Sequence, residues 1–139
     1  MAIYPSIEIE IRVRYQETDG QGRVHHANFI TYFEQGRTEL LRAAGQTYRQ
    51  LEEDGLMLVV AELNVEYFRP ARYDDLLRVR TTTTGIRGAR MEHAYEVYLG
   101  DDLLVRGRSV LACIDRDGRP RRVPRSLYPA GWNAGSLRD

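Results

Sequence analysis

One stretch of this chain, and only one, carries a helical period long enough to organise a domain, and the runs on either side of it alternate with a period of two. From Phe29 to Ala44, the residues Phe29, Phe33, Gly36, Leu40 and Ala44 fall on one stripe, which Ile30, Tyr32 and Leu41 widen. Asn28 is the expected N-cap and Gly45 the expected C-terminal stop, giving a helix about 24 Å long. So broad an apolar face must meet neighbours on more than one side. A shorter helical segment, Tyr48 to Glu53, precedes Gly55.

Before the helix, Ile7, Ile9, Ile11, Val13 and Tyr15 point one way, while Glu8, Glu10, Arg12 and Arg14 point the other, as in a half-buried strand. The polar, glycine-containing stretch QETDGQGRVHHAN then suits a loop. After the helix come four alternating runs. Ala61, Leu63, Val65 and Tyr67 lead into Arg69 and Pro70; Leu77, Val79, Thr81 and Thr83 are bounded by Gly85; Met91 to Leu99 turns at Gly100 and Asp101; Leu103 to Ile114 shifts phase near Gly107, where a bulge is expected. This order predicts an α+β domain, an antiparallel sheet on one main helix. One unit is expected over residues 1–139, with its core in about 7–126 and a weakly periodic tail over about 127–139.

Composition narrows the function classes. Twenty basic residues balance twenty acidic ones, so the bulk positive field of a nucleic-acid binder is missing and no nucleic-acid partner is expected. All the basic residues are arginine, which a biased coding composition explains more simply than phosphate recognition. Cys113 is the single cysteine, so no intrachain disulfide is possible, and no Cys/His spacing suggests a metal. The opening MAIYPSIEIEI is not patterned as a secretory signal, and no apolar run is long enough to span a bilayer, so a cytoplasmic location is expected.

The segment RVRYQETDGQGRVHHANFITYFEQGRTELLRAAG resembles the signature of the 4-hydroxybenzoyl-CoA thioesterase family, and in particular its YbgC-like acyl-CoA thioesterase branch. The likeness lies in the tyrosine closing the first strand, the ETD triplet, a glycine three residues past the aspartate, HHANF entering the helix, and FE and RTELLR beyond it. NVEYFRPARYDDLLRV extends it, so that similarity covers roughly residues 7–126. The resemblance implies a hot-dog fold, a five-stranded antiparallel sheet in the order 1-3-4-5-2 wrapped around one long helix. It also implies homodimers that pair through an exposed edge strand, here Leu58 to Arg69, and assemble into homotetramers. The implied activity is hydrolysis of an acyl-CoA to a free acid and coenzyme A, with no cofactor beyond the coenzyme A of the substrate.

Thioester hydrolysis needs a nucleophile or activated water, and donors for the oxygen that becomes negative. A helix start supplies such donors, because its first backbone N–H groups are unpaired and carry the positive end of the dipole. By its place in the motif Asp19 matches the family's catalytic aspartate, whereas its residues alone, Asp beside Gly20, read as a turn. An ordinary aspartate is too acidic for a good general base at neutral pH, which favours direct attack or orientation of a water. His26 resembles the family position whose backbone N–H contacts the thioester oxygen, and in this branch the ring belongs to the site; a cap or surface group is its plain alternative. Tyr15, taken as inward-facing, matches the branch's tyrosine, though packing with a polar tip explains it equally well. His25 is expected to be partly exposed, Glu34 to support Arg37 three residues along, and His93 to be a satisfied core histidine. Arg69, Arg72, Arg87, Arg90, Arg121 and Arg122 are candidates by type for the coenzyme A phosphates. Two other classes share the fold: a hydratase or dehydratase acting on acyl thioesters, whose His-centred motifs are missing here, and a non-catalytic acyl-CoA binding module.

Overall fold

A computed structural model describes residues 6–129; the chain ends on either side, including most of the expected tail, lie outside the described residues. Five strands, β1 (Ser6–Arg12), β2 (Leu56–Tyr67), β3 (Leu76–Arg87), β4 (Arg90–Leu99) and β5 (Asp102–Asp115), form one antiparallel sheet in the order β1-β3-β4-β5-β2. Helix α1 (His26–Ala43) packs on one face of it, and the short α2 (Tyr48–Glu53) leads into β2. This is the hot-dog arrangement.

The period-two residues of the central strands make the floor of the core. Leu77, Val79, Tyr95, Val97 and Val105 are fully covered and meet Phe29, Tyr32 and Phe33 of α1. Burial of each such side chain contributes roughly 1.5 to 3 kcal/mol. A second cluster surrounds the far half of the helix, where Leu41 packs with Leu51, Ile86, Met91, Leu111, Cys113 and Leu127.

Two glycines set how closely helix and sheet approach. A Cβ on Gly36 would lie 2.1 Å from Thr81 Oγ1, and one on Gly107 would lie 2.4 Å from Phe33 Cε2. Phe33 therefore lies over the bare backbone of β5, its ring stacked on Tyr95 with centroids 4.4 Å apart. The bulge expected at Gly107 is not there: Gly107 pairs in register with both Val65 and Tyr95. The irregularity falls instead opposite Val97 and Tyr98, where Leu104 and Val105 are consecutive and both buried. The apolar pattern shifts phase at that point, and the missing side chain at Gly107 disguises it.

Other boundaries move for local reasons. β1 ends at Arg12, because the Glu17 carboxylate accepts the Arg14 N–H (2.8 Å) and curls the chain into a 3-10 turn over Tyr15–Glu17. Helix α1 starts at His26, with His25 rather than Asn28 as its N-cap. β3 runs on past Gly85 to Arg87 through a register shift between Thr83 and Gly85.

Candidate active site

The loop between β1 and α1 folds back on itself as a small closed turn. The Asp19 N–H donates to the Arg23 carbonyl (2.7 Å), and Thr18 bridges Val24. Asp19 Oδ1 accepts the N–H groups of Gln21 (2.8 Å) and Arg23 (3.2 Å), while Gly22 provides the left-handed residue the turn requires, at φ +79°. The backbone N–H groups of Gln21 and Arg23, with the nearby Arg23 guanidinium, hold the Asp19 carboxyl below its ordinary value of 3.8. Oδ2 has no intramolecular partner among the described residues. Asp19 thus builds the turn and also keeps one charged oxygen uncommitted.

Glu17 ties this loop to the helix. It is buried at 5% exposure, and its carboxylate accepts from the Arg14 guanidinium (3.2 Å) and from the Tyr32 hydroxyl of α1 (3.0 Å). Its carbonyl accepts the His25 N–H (2.9 Å) and the Asn28 side-chain amide (2.8 Å). Burial and the neighbouring Glu17 carboxylate push the Tyr32 hydroxyl well above its ordinary range, so it remains a donor. Sequence reasoning missed Glu17 as an anchor, although the ETD triplet contains it. The available signal was Tyr32 on the apolar stripe, whose hydroxyl needs a buried partner.

At the helix start, the Ala27 N–H is taken by His25 Nδ1 (3.1 Å) and the Asn28 N–H by the His25 carbonyl (2.9 Å). No acceptor takes the His26 N–H among the described residues. The His26 ring stacks on His25, with centroids 4.1 Å apart, and presents an edge contact to Tyr67 at the end of β2. The Tyr67 hydroxyl donates to the His26 carbonyl (2.9 Å) and so couples the edge strand to the helix.

These elements enclose a cleft of about 280 Å³ whose walls include Asp19, Arg23, His26, Phe29, Tyr67 and Arg69. Two of the three expected site residues, Asp19 and His26, therefore share one cavity with the helix start. Tyr15 does not. Its side chain is 77% exposed rather than inward-facing, set edge-on to Tyr73, because the 3-10 turn breaks the alternation of β1. Of the six candidate arginines only Arg69 lines the cleft, where it stands 3.8 Å from Asp102; Arg90 and Arg121 are engaged with Glu62 and Asp115, and Arg23 was not anticipated. His25 is exposed, as expected. Arg37 is not held by Glu34; it turns into the core and donates to the Tyr95 hydroxyl (3.1 Å). His93 is a core residue, but its Nδ1 has no partner. Among the described residues no group of three or more His, Cys, Asp or Glu is placed to hold a metal, and no helix is long and apolar enough to cross a membrane.

A long helix on a five-stranded antiparallel sheet is the hot-dog class of fold, and here a loop carboxylate and an unpaired helix-start N–H face one cleft. The pattern of the thioesterase superfamily matches residues 21–106, and the chain belongs to that family. It is 34% identical over 119 residues to the acyl-CoA thioester hydrolase YbgC of Escherichia coli O6:H1, covering 84% of this chain and 89% of that one. It is 33% identical to the putative acyl-CoA thioesterase YneP of Bacillus subtilis, covering 86% and 88% of the two chains. Among solved structures, a DHNA-CoA thioesterase from Staphylococcus aureus superposes with a TM-score of 0.81 at 31% identity, over 84% of this chain and 80% of that one.

Proposed function

We propose that this chain hydrolyses an acyl-CoA to a free carboxylic acid and coenzyme A, with Asp19 acting in its ionised form and the His26 N–H binding the carbonyl oxygen. The observation that carries this reading is the common cleft: a carboxylate with a free oxygen and an unpaired helix-start donor line the same cavity. With its carboxyl held below 3.8, Asp19 is charged throughout the neutral range and a weak proton acceptor there. It therefore acts by attacking the thioester carbon or by orienting the water that does. Negative charge developing on the carbonyl oxygen is met by the His26 N–H and the helix dipole. If Asp19 attacks, the C–S bond breaks to leave an acyl–Asp19 anhydride, which water then hydrolyses to the free acid and the regenerated carboxylate. If water attacks, its oxygen bonds the carbonyl carbon as the C–S bond breaks, and in both cases a proton of that water ends on the departing coenzyme A thiolate. Arg23 and Arg69 supply cationic partners for the phosphates at the rim. Tyr15, exposed and outside the cleft, receives no role within one chain.

Assembly into a dimer through β2 is part of the same proposal. β2 is a sheet edge, and Met57, Val59, Val60 and Leu63 stand exposed along it, whereas the opposite edge, β1, shows Glu8, Glu10 and Arg12. A thiol-release screen over short, long and aromatic acyl-CoAs, run beside an assay for hydration of enoyl-CoA, tests the activity. Thiol release from at least one acyl-CoA without hydration is expected; hydration, or tight binding with no thiol released, would assign the cleft to one of the other two classes.

A further inference from the structure

A second cavity, larger than the Asp19 cleft, lies elsewhere among the described residues. It encloses about 390 Å³ between the second half of α1 and the sheet, and its walls include Arg37, Leu40, Leu41, Met91, His93 and Leu127. That size falls within the roughly 300 to 1,000 Å³ of small-molecule sites. Arg37 is eleven residues beyond His26, about 16 Å further along the helix axis, so this space is separate from the Asp19 cleft.

Its lining combines an apolar wall with one buried cation. Arg37 is 8% exposed, yet no carboxylate pairs with it among the described residues. One Nη donates to the Tyr95 hydroxyl (3.1 Å), which is itself 2.5 Å from Ser109 Oγ, and Tyr48 is close by. Its Nε is buried without any hydrogen-bond partner, and so is Nδ1 of His93, 4% exposed on the facing strand. Burying a guanidinium without an anion is costly, and fold stability alone does not require it. Two orphaned polar atoms beside an otherwise apolar space are what a ligand with one anionic head and an apolar tail would complete.

We propose that this cavity is a second ligand site that takes an amphipathic monocarboxylate, its head on Arg37 with His93 adjacent and its tail against Leu40, Leu41, Met91 and Leu127. The site stands independently of the thioesterase reading. Only the further idea that its ligand is chemically the acid released at the first cleft rests on that reading.

Calorimetric titration of octanoate into the full chain tests it. Octanoate is expected to bind the wild type and Asp19→Asn alike, with coenzyme A failing to displace it. Octanol, which has the same tail without the charge, should bind about tenfold or more weakly, and Arg37→Met should weaken octanoate by a similar factor. No binding of octanoate, equal binding to Arg37→Met, or displacement by coenzyme A would overturn the proposal. If Arg37→Met does not fold, Ala44→Phe fills the cavity from its exposed helix end and keeps the charge. That variant must lose octanoate, and retained binding would equally overturn the site.

Discussion

Glu17 and Tyr32 position the loop, and a test of their partnership needs both stability and rate. Tyr32→Phe removes the donor to a buried carboxylate and should cost about 1 to 3 kcal/mol in chemical denaturation. The Arg14 contacts still hold Glu17 there, so kcat should fall less than in Glu17→Gln, which loosens the whole turn. Equal kcat in the two variants would remove Glu17 from its positioning role. His93 provides a pH test. Burial, and the charge of Arg37 on the facing helix, lower it to about 3, with Tyr95 its ring neighbour on β4. The unfolded chain takes up a proton as pH falls through about 6.5 and the folded chain does not, so stability is lost on acidification. By about pH 5 that loss is about 2 kcal/mol. His93→Gln should show a flatter stability profile over the same range; an identical slope would mean that His93 takes up its proton in the fold.

Among the elements, α1 and the strands are legible because their periods are long and their apolar residues nearly unbroken. The motif placed Asp19 and His26 at the entry to the helix, and both line the cleft there. What escaped was set by contacts distant in sequence. Tyr15 continued the alternation of β1 on paper, but Glu17 had already been claimed by Tyr32 on α1, and the strand curled away. Arg37 lies one turn from Phe33, Leu40 and Leu41 and was read as the partner of Glu34, while Tyr95, which receives it, and Ser109, which bonds the Tyr95 hydroxyl, come from strands far along the chain. Gly107 looked like a bulge and is instead the space Phe33 occupies. Gly107→Ala should therefore cost about 1 to 3 kcal/mol by thermal or chemical unfolding, because the stacked Phe33 ring has to move. A neutral result would mean the β5 backbone relaxes freely there.

For the whole molecule, the exposed apolar edge at β2 makes assembly part of the proposed function. Tyr67, at the end of that strand, both bonds to the His26 carbonyl and lines the cleft, so pairing at β2 bears directly on the site. Val59→Lys, tested by size-exclusion chromatography with light scattering, should raise the dissociation constant of the dimer about tenfold or more. A wild type that is monomeric at every concentration would remove β2 as the interface. The proposed chemistry rests most heavily on the uncommitted oxygen of Asp19 beside the helix start. The decisive measurement is kcat/KM for thiol release from a cleaved acyl-CoA by Asp19→Asn, with its unfolding midpoint measured in parallel. A loss of about a thousandfold in an otherwise folded protein is predicted, and turnover within about twofold of wild type would contradict it.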